Sequence, residues 1–190
     1  MTENRQDKRA AALQATLELI SEQGFQGTPM SQIAERANIG VGTIYRYFAS
    51  KDELINALYV DVKSRMAHYL FKDYSEDKPA DETFMTFTRN MVDYFTQNPK
   101  VLLFIEQYAN SPLITTDSHE EGLRSFEPAK ALFKKAKKDG LMKDLPLEMI
   151  CSLVFGSTLS LVKLSLFGKN KLSADDLDKG LQAVWDAVKK

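Results

Sequence analysis

The sequence predicts an all-α fold of about nine helices, with a small N-terminal three-helix domain followed by a larger helical domain. Apolar residues recur at helical spacing along most of the 190 residues, whereas alternating β-branched runs are nearly absent. Helix start and stop signals divide this pattern into segments of ordinary helix length. The chain is long enough for one compact body, or for a small domain and a larger one.

Three helices are predicted within the first fifty residues. The first covers about 8–23 and ends at Gly24, which suits the left-handed conformation that often follows a helix. Thr28 is a favourable N-cap for a second helix over about 29–37, because its hydroxyl can accept from a free backbone amide. A three-residue turn then leads to a third helix over about 41–48.

The remainder of the chain also has a helical pattern. Ser50 and Glu53 form a capping box that opens a long fourth helix reaching about Phe71. The polar segment 111–122 is predicted to be a loop. The further helices are predicted over about 81–97, 100–110, 123–139, 146–167 and 174–189.

Composition argues against several classes of protein. The single cysteine, Cys151, excludes a disulfide within the chain and favours a reducing cytoplasm. The two histidines lie in no metal-binding pattern, and the sequence has no phosphate-binding glycine loop. We therefore expect no catalytic residues, no metal, no cofactor and no enzyme activity.

The most apolar stretch, 145–167, includes Glu148 and Lys163 together with several serines. A membrane-spanning helix needs about 20 mostly apolar residues. We predict instead a helix buried within protein, and no membrane partner.

The second and third predicted helices, over about 29–48, have the dimensions of a helix-turn-helix. In such a unit the second helix enters the major groove of double-stranded DNA. The net charge of −1 does not indicate a nucleic-acid partner, so the prediction depends on local placement. The candidate DNA-binding residues are Thr28, Val41, Gly42, Thr43, Tyr45, Arg46, Tyr47 and Lys51.

These candidates suit different contacts. Gly42 lets the backbone approach DNA closely, and Val41 can touch a thymine methyl group. The polar side chains of the third helix can donate to phosphate oxygens. Lys51, with the free amides at the start of the fourth helix, forms an anion site. Tyr45 either packs within the small domain or contacts DNA.

Residues 27–54 closely resemble the signature of the TetR family of transcriptional regulators. They read GTPMSQIAERANIGVGTIYRYFASKDEL. They share with that signature the Thr before the helix, Ile-Ala, Gly-Thr-Ile-Tyr-x-Tyr-Phe and Lys-Asp-x-Leu. They depart from it at Asn38, where the family usually has Gly, and at Gly40, where Ser often caps the recognition helix. The resemblance covers about 8–66.

The resemblance implies a DNA-binding domain over 6–66, and a domain for effector binding and dimerisation over 67–190. It implies a homodimer whose two DNA-reading heads occupy successive major grooves of a near-palindromic operator. The default function in the family is repression, which ends when a ligand changes the separation of the heads.

The larger domain is rich in aromatic residues and methionine. These residues either fill an ordinary core or line a cavity for a small hydrophobic or aromatic effector, uncharged or weakly charged. Helix 81–97 carries an apolar stripe wider than one neighbouring helix needs. The candidate effector-binding residues are Met91, Tyr94, Phe95, Phe104, Tyr108 and Phe155.

The last two predicted helices are candidates for the dimer interface. Helix 146–167 is apolar nearly all round, which requires burial on more than one face. Small residues on it would let another helix approach closely. The candidate interface residues are Gly156, Ser160, Leu181, Val184 and Trp185.

Two other classes of protein remain as alternatives. An enzyme is disfavoured, because no set of nucleophile, base and orienting group is visible in the sequence. A DNA-binding architectural or cell-division factor on the same fold would have no small-molecule effector. An enclosed cavity would favour the ligand-responsive regulator, and a filled core would favour the architectural factor.

Overall fold

The computed structural model describes residues 3–75, 77–169 and 172–190. These residues form ten helices and no strand, apart from an isolated bridge between Met142 and Lys189. The helices are α1 (Glu3–Gln23), α2 (Met30–Arg36), α3 (Val41–Tyr45), α4 (Lys51–Leu70), α5 (Ala80–Gln97), α6 (Pro99–Tyr108), α7 (Thr116–Arg124), α8 (Glu127–Lys138), α9 (Leu147–Phe167) and α10 (Ala174–Val188). The all-α prediction is confirmed.

The predicted loop over 111–122 is wrong, because most of it forms α7. Thr115 directly precedes this helix and caps its start: its hydroxyl accepts from the Ser118 amide at 3.3 Å, and its carbonyl accepts from the His119 amide at 2.9 Å. The helix is highly polar, so apolar periodicity did not reveal it. The helix predicted over 123–139 starts later, at Glu127, and the described residues have ten helices instead of about nine.

The turns around α2 contain two residues with a positive φ. Gly24 is left-handed with φ +73°, as predicted, and Asn38 has φ +53°. Gly40 is extended, with φ −67°, and is the N-cap of α3. Its lack of a side chain leaves α3 without a side-chain cap.

The N-cap role predicted for Thr28 is wrong. Its side chain is fully buried, and the hydroxyl donates to the Gly24 carbonyl at 2.8 Å. Pro29 takes the N-cap position of α2. The hydroxyl therefore serves the C-terminal end of α1, because the buried side chain points back towards the unbonded carbonyls there.

The capping box before α4 is confirmed with one shift. The Glu53 amide donates to the Ser50 hydroxyl at 3.1 Å, and the Glu53 carboxylate accepts from the Ala49 amide at 2.7 Å. The carboxylate thus reaches one residue further back than in the usual box. This contact holds the turn between the helix-turn-helix and α4.

The chain forms two compact units. The first contains the described chain up to Ser64 together with Lys100–Leu123, and the second contains Arg65–Pro99 together with Arg124–Lys190. The first unit therefore includes nearly all of α6 and α7 in addition to the helix-turn-helix. The functional division at 66–67 remains a prediction.

The second unit is built on aromatic contacts among α5, α8, α9 and α10. The centres of the Phe84 and Trp185 rings lie 4.7 Å apart, and the centres of the Phe95 and Phe155 rings lie 6.5 Å apart. Phe133 of α8 packs edge-on against Phe87 at 6.3 Å. Helix α5 is thereby held against the last three helices of the chain.

Candidate nucleic-acid interface

Helix α3 has one face buried and the other open to solvent. Ile44 and Phe48 lie beneath it and are almost completely buried. Val41 is 45% exposed and Tyr45 is 51% exposed, although both have large hydrophobic side chains. Arg46 is also exposed. Exposed apolar and aromatic side chains on a firmly seated helix are typical of a surface that contacts a partner.

Gly42 lies in the middle of this open face. A Cβ atom at this position would have no heavy atom within 4 Å. The protomer itself therefore does not require glycine here. A close approach by a partner molecule would require it.

Two positively charged side chains beside the helix-turn-helix lie over aromatic rings. The Lys51 ammonium lies 4.1 Å from the centre of the Phe25 ring, and partial burial lowers the pKa of Lys51. The Arg9 guanidinium lies 5.4 Å from the centre of the Phe48 ring. Sequence reasoning had not selected Arg9, because its ring partner is distant along the chain and no local spacing connects the two.

Arg36 has a different environment from Arg46. Its guanidinium pairs with Glu22 at 3.0 Å and with Glu18 at 3.4 Å. Lys100 of α6 pairs with the same Glu22 at 3.4 Å. These contacts connect α1, α2 and α6, so the Arg36 guanidinium is engaged within the unit.

The remaining predicted DNA-binding residues are less exposed. Thr43, Tyr47 and Lys51 are half-buried at the edge of α3 and the start of α4. Thr28 is fully buried, which leaves its hydroxyl no route to a phosphate. Seven of the eight candidates are therefore exposed or half-buried, whereas the Thr28 side chain is buried.

Asn56 on α4 connects that helix to the segment between α6 and α7. Its amide nitrogen donates to the Leu113 carbonyl at 2.9 Å, and its oxygen accepts from the Thr115 amide at 2.8 Å. The Thr115 hydroxyl also donates to the same oxygen, at 3.2 Å. One side chain thus satisfies two backbone groups that are distant in sequence.

Two turns later on α4, a close contact with α7 buries Lys63. Lys63 is only 8% exposed, and a Cβ atom at Gly122 would lie 3.1 Å from its Cγ atom and 2.7 Å from the Tyr59 ring. Burial lowers the pKa of Lys63 from 10.5 to about 8. The native fold therefore disfavours the charged ammonium at this position.

This lowered pKa predicts a pH-dependent stability. Between pH 8 and 10.5 the unfolded chain binds more protons at Lys63 than the native protein, so the free energy of unfolding rises with pH across that window. We expect a gain of about 2–3 kcal/mol, measured by urea unfolding at pH 7.5 and 10.5. Lys63→Met should lose this gain, while the exposed control Lys100→Met should keep it. Equal pH profiles for the parent and Lys63→Met would contradict the prediction.

The predicted dimer residues divide into two groups. Gly156 and Ser160 are exposed on α9. Leu181, Val184 and Trp185 are buried within the protomer, at 1%, 7% and 7% exposure, so their assignment to an intersubunit surface is wrong. They face the core because α10 packs against α5 and α9 with the apolar stripe that the sequence showed.

Helix α9 is less buried in the protomer than its sequence predicts. Met149, Leu153, Leu164 and Phe167 are between 39% and 56% exposed. Together with Gly156 and Ser160 they form a stripe at spacings of three and four residues, here called the α9 stripe. By length and composition alone, α9 could also cross a membrane.

The predicted effector-binding residues lie in both compact units. Met91, Tyr94, Phe95 and Phe155 belong to the second unit, whereas Phe104 and Tyr108 belong to the first. The Tyr108 hydroxyl accepts from the Phe25 amide at 3.1 Å, which gives it a structural role in the first unit.

None of these six residues lines the open groove of 640 Å³ in the second unit. That groove contains lysines and aspartates in nearly equal number, with Leu132 and Trp185 among its apolar groups. Its mixed charge does not suit the hydrophobic effector that the sequence predicts. Within the described part of the chain, no cluster of three or more His, Cys, Asp or Glu could hold a metal ion.

Helix α3 is buried on one face and exposed on the other, and a larger helical region follows the helix-turn-helix. This arrangement is typical of a DNA-binding transcriptional regulator. Residues 12–58 match the family model "Bacterial regulatory proteins, tetR family", and residues 79–189 match "Tetracyclin repressor-like, C-terminal domain". The chain belongs to the TetR family of transcriptional regulators.

Individual relatives agree with this assignment. An uncharacterized HTH-type transcriptional regulator from Haemophilus influenzae is 27% identical over the full length of both chains. The HTH-type transcriptional repressor KstR from Mycolicibacterium smegmatis is 43% identical over 54 residues, which cover 28% of this chain and 26% of KstR. A TetR family transcription regulator from Marinobacter aquaeolei has the same fold, with a TM-score of 0.92, 22% identity and complete coverage of both chains.

Proposed function

We propose that this protein is a cytoplasmic, sequence-specific DNA-binding repressor that occupies a near-palindromic operator as a homodimer and is released by a small effector. The observation that carries the proposal is the open face of α3, with Gly42, Val41 and Tyr45 on a buried base of Ile44 and Phe48. The similarity to KstR, which is a repressor, over 54 residues supports the direction of regulation.

Gly42→Ala tests the DNA-reading face directly. The added methyl group meets nothing in the protomer, so the melting temperature should stay unchanged or rise slightly. On DNA it should occupy space that the base edges need, and weaken operator binding about tenfold or more. An operator can be selected from a pool of random duplexes, and binding measured by fluorescence anisotropy.

The control for this substitution is Thr96→Ala, at an exposed position of α5 outside the proposed interface. It should bind the operator as the parent does. Parent-like operator affinity in Gly42→Ala would exclude the close approach of α3 to DNA.

Lys51 and Tyr47 are proposed to hold phosphates instead of bases. Lys51→Ala and Tyr47→Phe should weaken binding to all duplexes to a similar extent. Lys51→Ala should also reduce the slope of log affinity against log salt by about one unit, because one fewer counterion is released. If both variants match the parent at every salt concentration, the placement of the helix-turn-helix on DNA is wrong.

The homodimer is supported by the α9 stripe. Exposed hydrophobic residues along three turns or more of one helix are costly in water unless a second surface covers them. Small residues at its centre, Gly156 and Ser160, allow close approach by a helix of a second copy. This location replaces the α10 residues predicted from the sequence.

One observation favours the alternative function, an architectural DNA-binding factor without an effector. Met91 and Phe95 are fully buried, and the Phe95 ring contacts neighbouring rings as in an ordinary core. The two functions differ in whether any small molecule stabilises the protein. At 100 times its dissociation constant, an effector should add about 2.7 kcal/mol to the free energy of unfolding. A thermal-shift screen of small lipophilic compounds measures this difference.

A further inference from the structure

The second unit contains a buried hydroxyl group without a hydrogen-bond partner. Thr158 lies on α9 and is fully buried, and its Oγ1 atom is one of two such side-chain atoms among the described residues. The other, Ser111 Oγ, lies in the first unit. Buried hydroxyl groups in native proteins nearly always have a partner, so this one needs an explanation.

Other helical hydroxyl groups in the chain satisfy themselves locally. Thr16, Thr88 and Ser160 each donate to the carbonyl four residues earlier, at 2.6, 3.0 and 2.9 Å. The same bond is open in principle to Thr158, and it does not form. The Thr158 hydroxyl therefore has no partner within its own helix, although the backbone bond is the simplest way to satisfy it.

The face of α9 that carries Thr158 is apolar one turn to either side. Val154 and Val162, one turn before and one turn after it, are buried on the same face of α9. The buried polar residues described in this unit are Thr83, Thr88, Asn90 and Thr158, and none of them is ionisable. A charged ligand group would lack a buried countercharge here, whereas a neutral one could pair with the hydroxyl.

We propose that the Thr158 hydroxyl is the polar anchor for an uncharged ligand with an apolar body and one hydroxyl or carbonyl group, such as a phenol. This inference rests on the proposed effector-responsive function and names the chemical class of the effector. Because Thr158 is completely buried, the side chains around it must move apart to admit the ligand. The anchor belongs to α9 of the second unit, whereas Phe104 and Tyr108 belong to the first unit.

The probes are p-cresol and toluene, which share a methyl-substituted ring and differ in the phenolic hydroxyl. Binding to the full-length protein is measured by titration calorimetry and by the shift in melting temperature. Thr158→Val keeps the shape of the side chain and removes the hydroxyl. It should bind p-cresol about tenfold more weakly than the parent does, because one hydrogen bond is lost. Its affinity for toluene should not change.

Thr88→Val is the matched control, because Thr88 is equally buried but its hydroxyl already donates to the Phe84 carbonyl. It should bind both probes as the parent does. Thr158→Val should also melt at the same temperature as the parent or higher, since it removes an unsatisfied group. This expectation keeps a loss of p-cresol binding from being confused with misfolding.

Two results would overturn the inference. Equal p-cresol affinity in the parent and Thr158→Val would show that the hydroxyl does not anchor the ligand and would leave an ordered water as its partner. Binding of neither probe would show that the interior does not open for a phenol. Operator binding by the ligand-free parent is measured in parallel. If the parent does not bind the operator, the proposed DNA-binding function is refuted. If the parent binds the operator but the probe experiment fails, only the inference about Thr158 is refuted.

Discussion

Leu153→Glu combined with Leu164→Glu is expected to convert the protein to monomers and to abolish operator binding. Both leucines lie on the α9 stripe, at 39% and 48% exposure. In the proposed dimer they are covered by a second copy, so the variant would bury carboxylates without partners. The protomer core should be intact, because neither side chain is buried within it.

The loss of operator affinity should be large. In a dimer, binding of the first head makes binding of the second intramolecular, and this linkage is worth about 10²–10⁴ in affinity. The sedimentation coefficient reports the assembly state, and fluorescence anisotropy reports DNA binding. A double variant at two other exposed leucines, Leu103→Glu with Leu141→Glu, is the matched control and should remain dimeric. If the α9 variant sediments like the parent, the stripe is not the interface.

Asn56→Leu is expected to destabilise the protein strongly. The substitution removes the partners of the Leu113 carbonyl and the Thr115 amide, two backbone groups in the segment between α6 and α7. Each unsatisfied group costs about 1–3 kcal/mol, so we expect a loss of about 3 kcal/mol in the free energy of unfolding. Urea unfolding measures this loss, and amide hydrogen exchange at Thr115 should accelerate.

Two further variants separate this contact from general effects of asparagine replacement. Asn56→Asp keeps the oxygen that accepts from Thr115, but at neutral pH it places a charged oxygen against the Leu113 carbonyl, so its stability should also fall well below that of the parent. Asn98→Leu removes a single bond to the Tyr94 carbonyl within one helical turn and should cost less than about 1.5 kcal/mol. Equal losses in Asn56→Leu and Asn98→Leu would show that Asn56 does not connect α4 to the segment before α7.

Packing rules explain why some assignments in the DNA-binding region could be made from sequence and others could not. The left-handed Gly24 and the capping box at Ser50 depend on neighbouring residues, so local sequence is sufficient to predict them. Thr28 has an equally clear local signal, but its side chain is buried and donates to the Gly24 carbonyl instead. Burial depends on the packing of α1 against α2, which a local signal does not contain.

Packing between distant segments also decides which residues are buried in the second unit. Apolar periodicity showed correctly that α9 and α10 have wide apolar faces, but it does not show which neighbour covers each face. In the folded protomer α10 turns Leu181, Val184 and Trp185 towards α5 and α9, while α9 leaves Leu153 and Leu164 exposed. The predicted interface residues on α10 were wrong for this reason, although Gly156 and Ser160 on α9 do lie at the surface.

The sequence by itself determined the helical class, the helix-turn-helix and the family, because each depends on residue order over a few turns. Tertiary structure decided the exposure of Gly42 and Val41, the burial of Lys63 and the unsatisfied hydroxyl of Thr158. Exposure, a shifted pKa and a missing hydrogen bond are properties of the space around a side chain. Segments distant in the chain create that space, so it exists only after they have packed together.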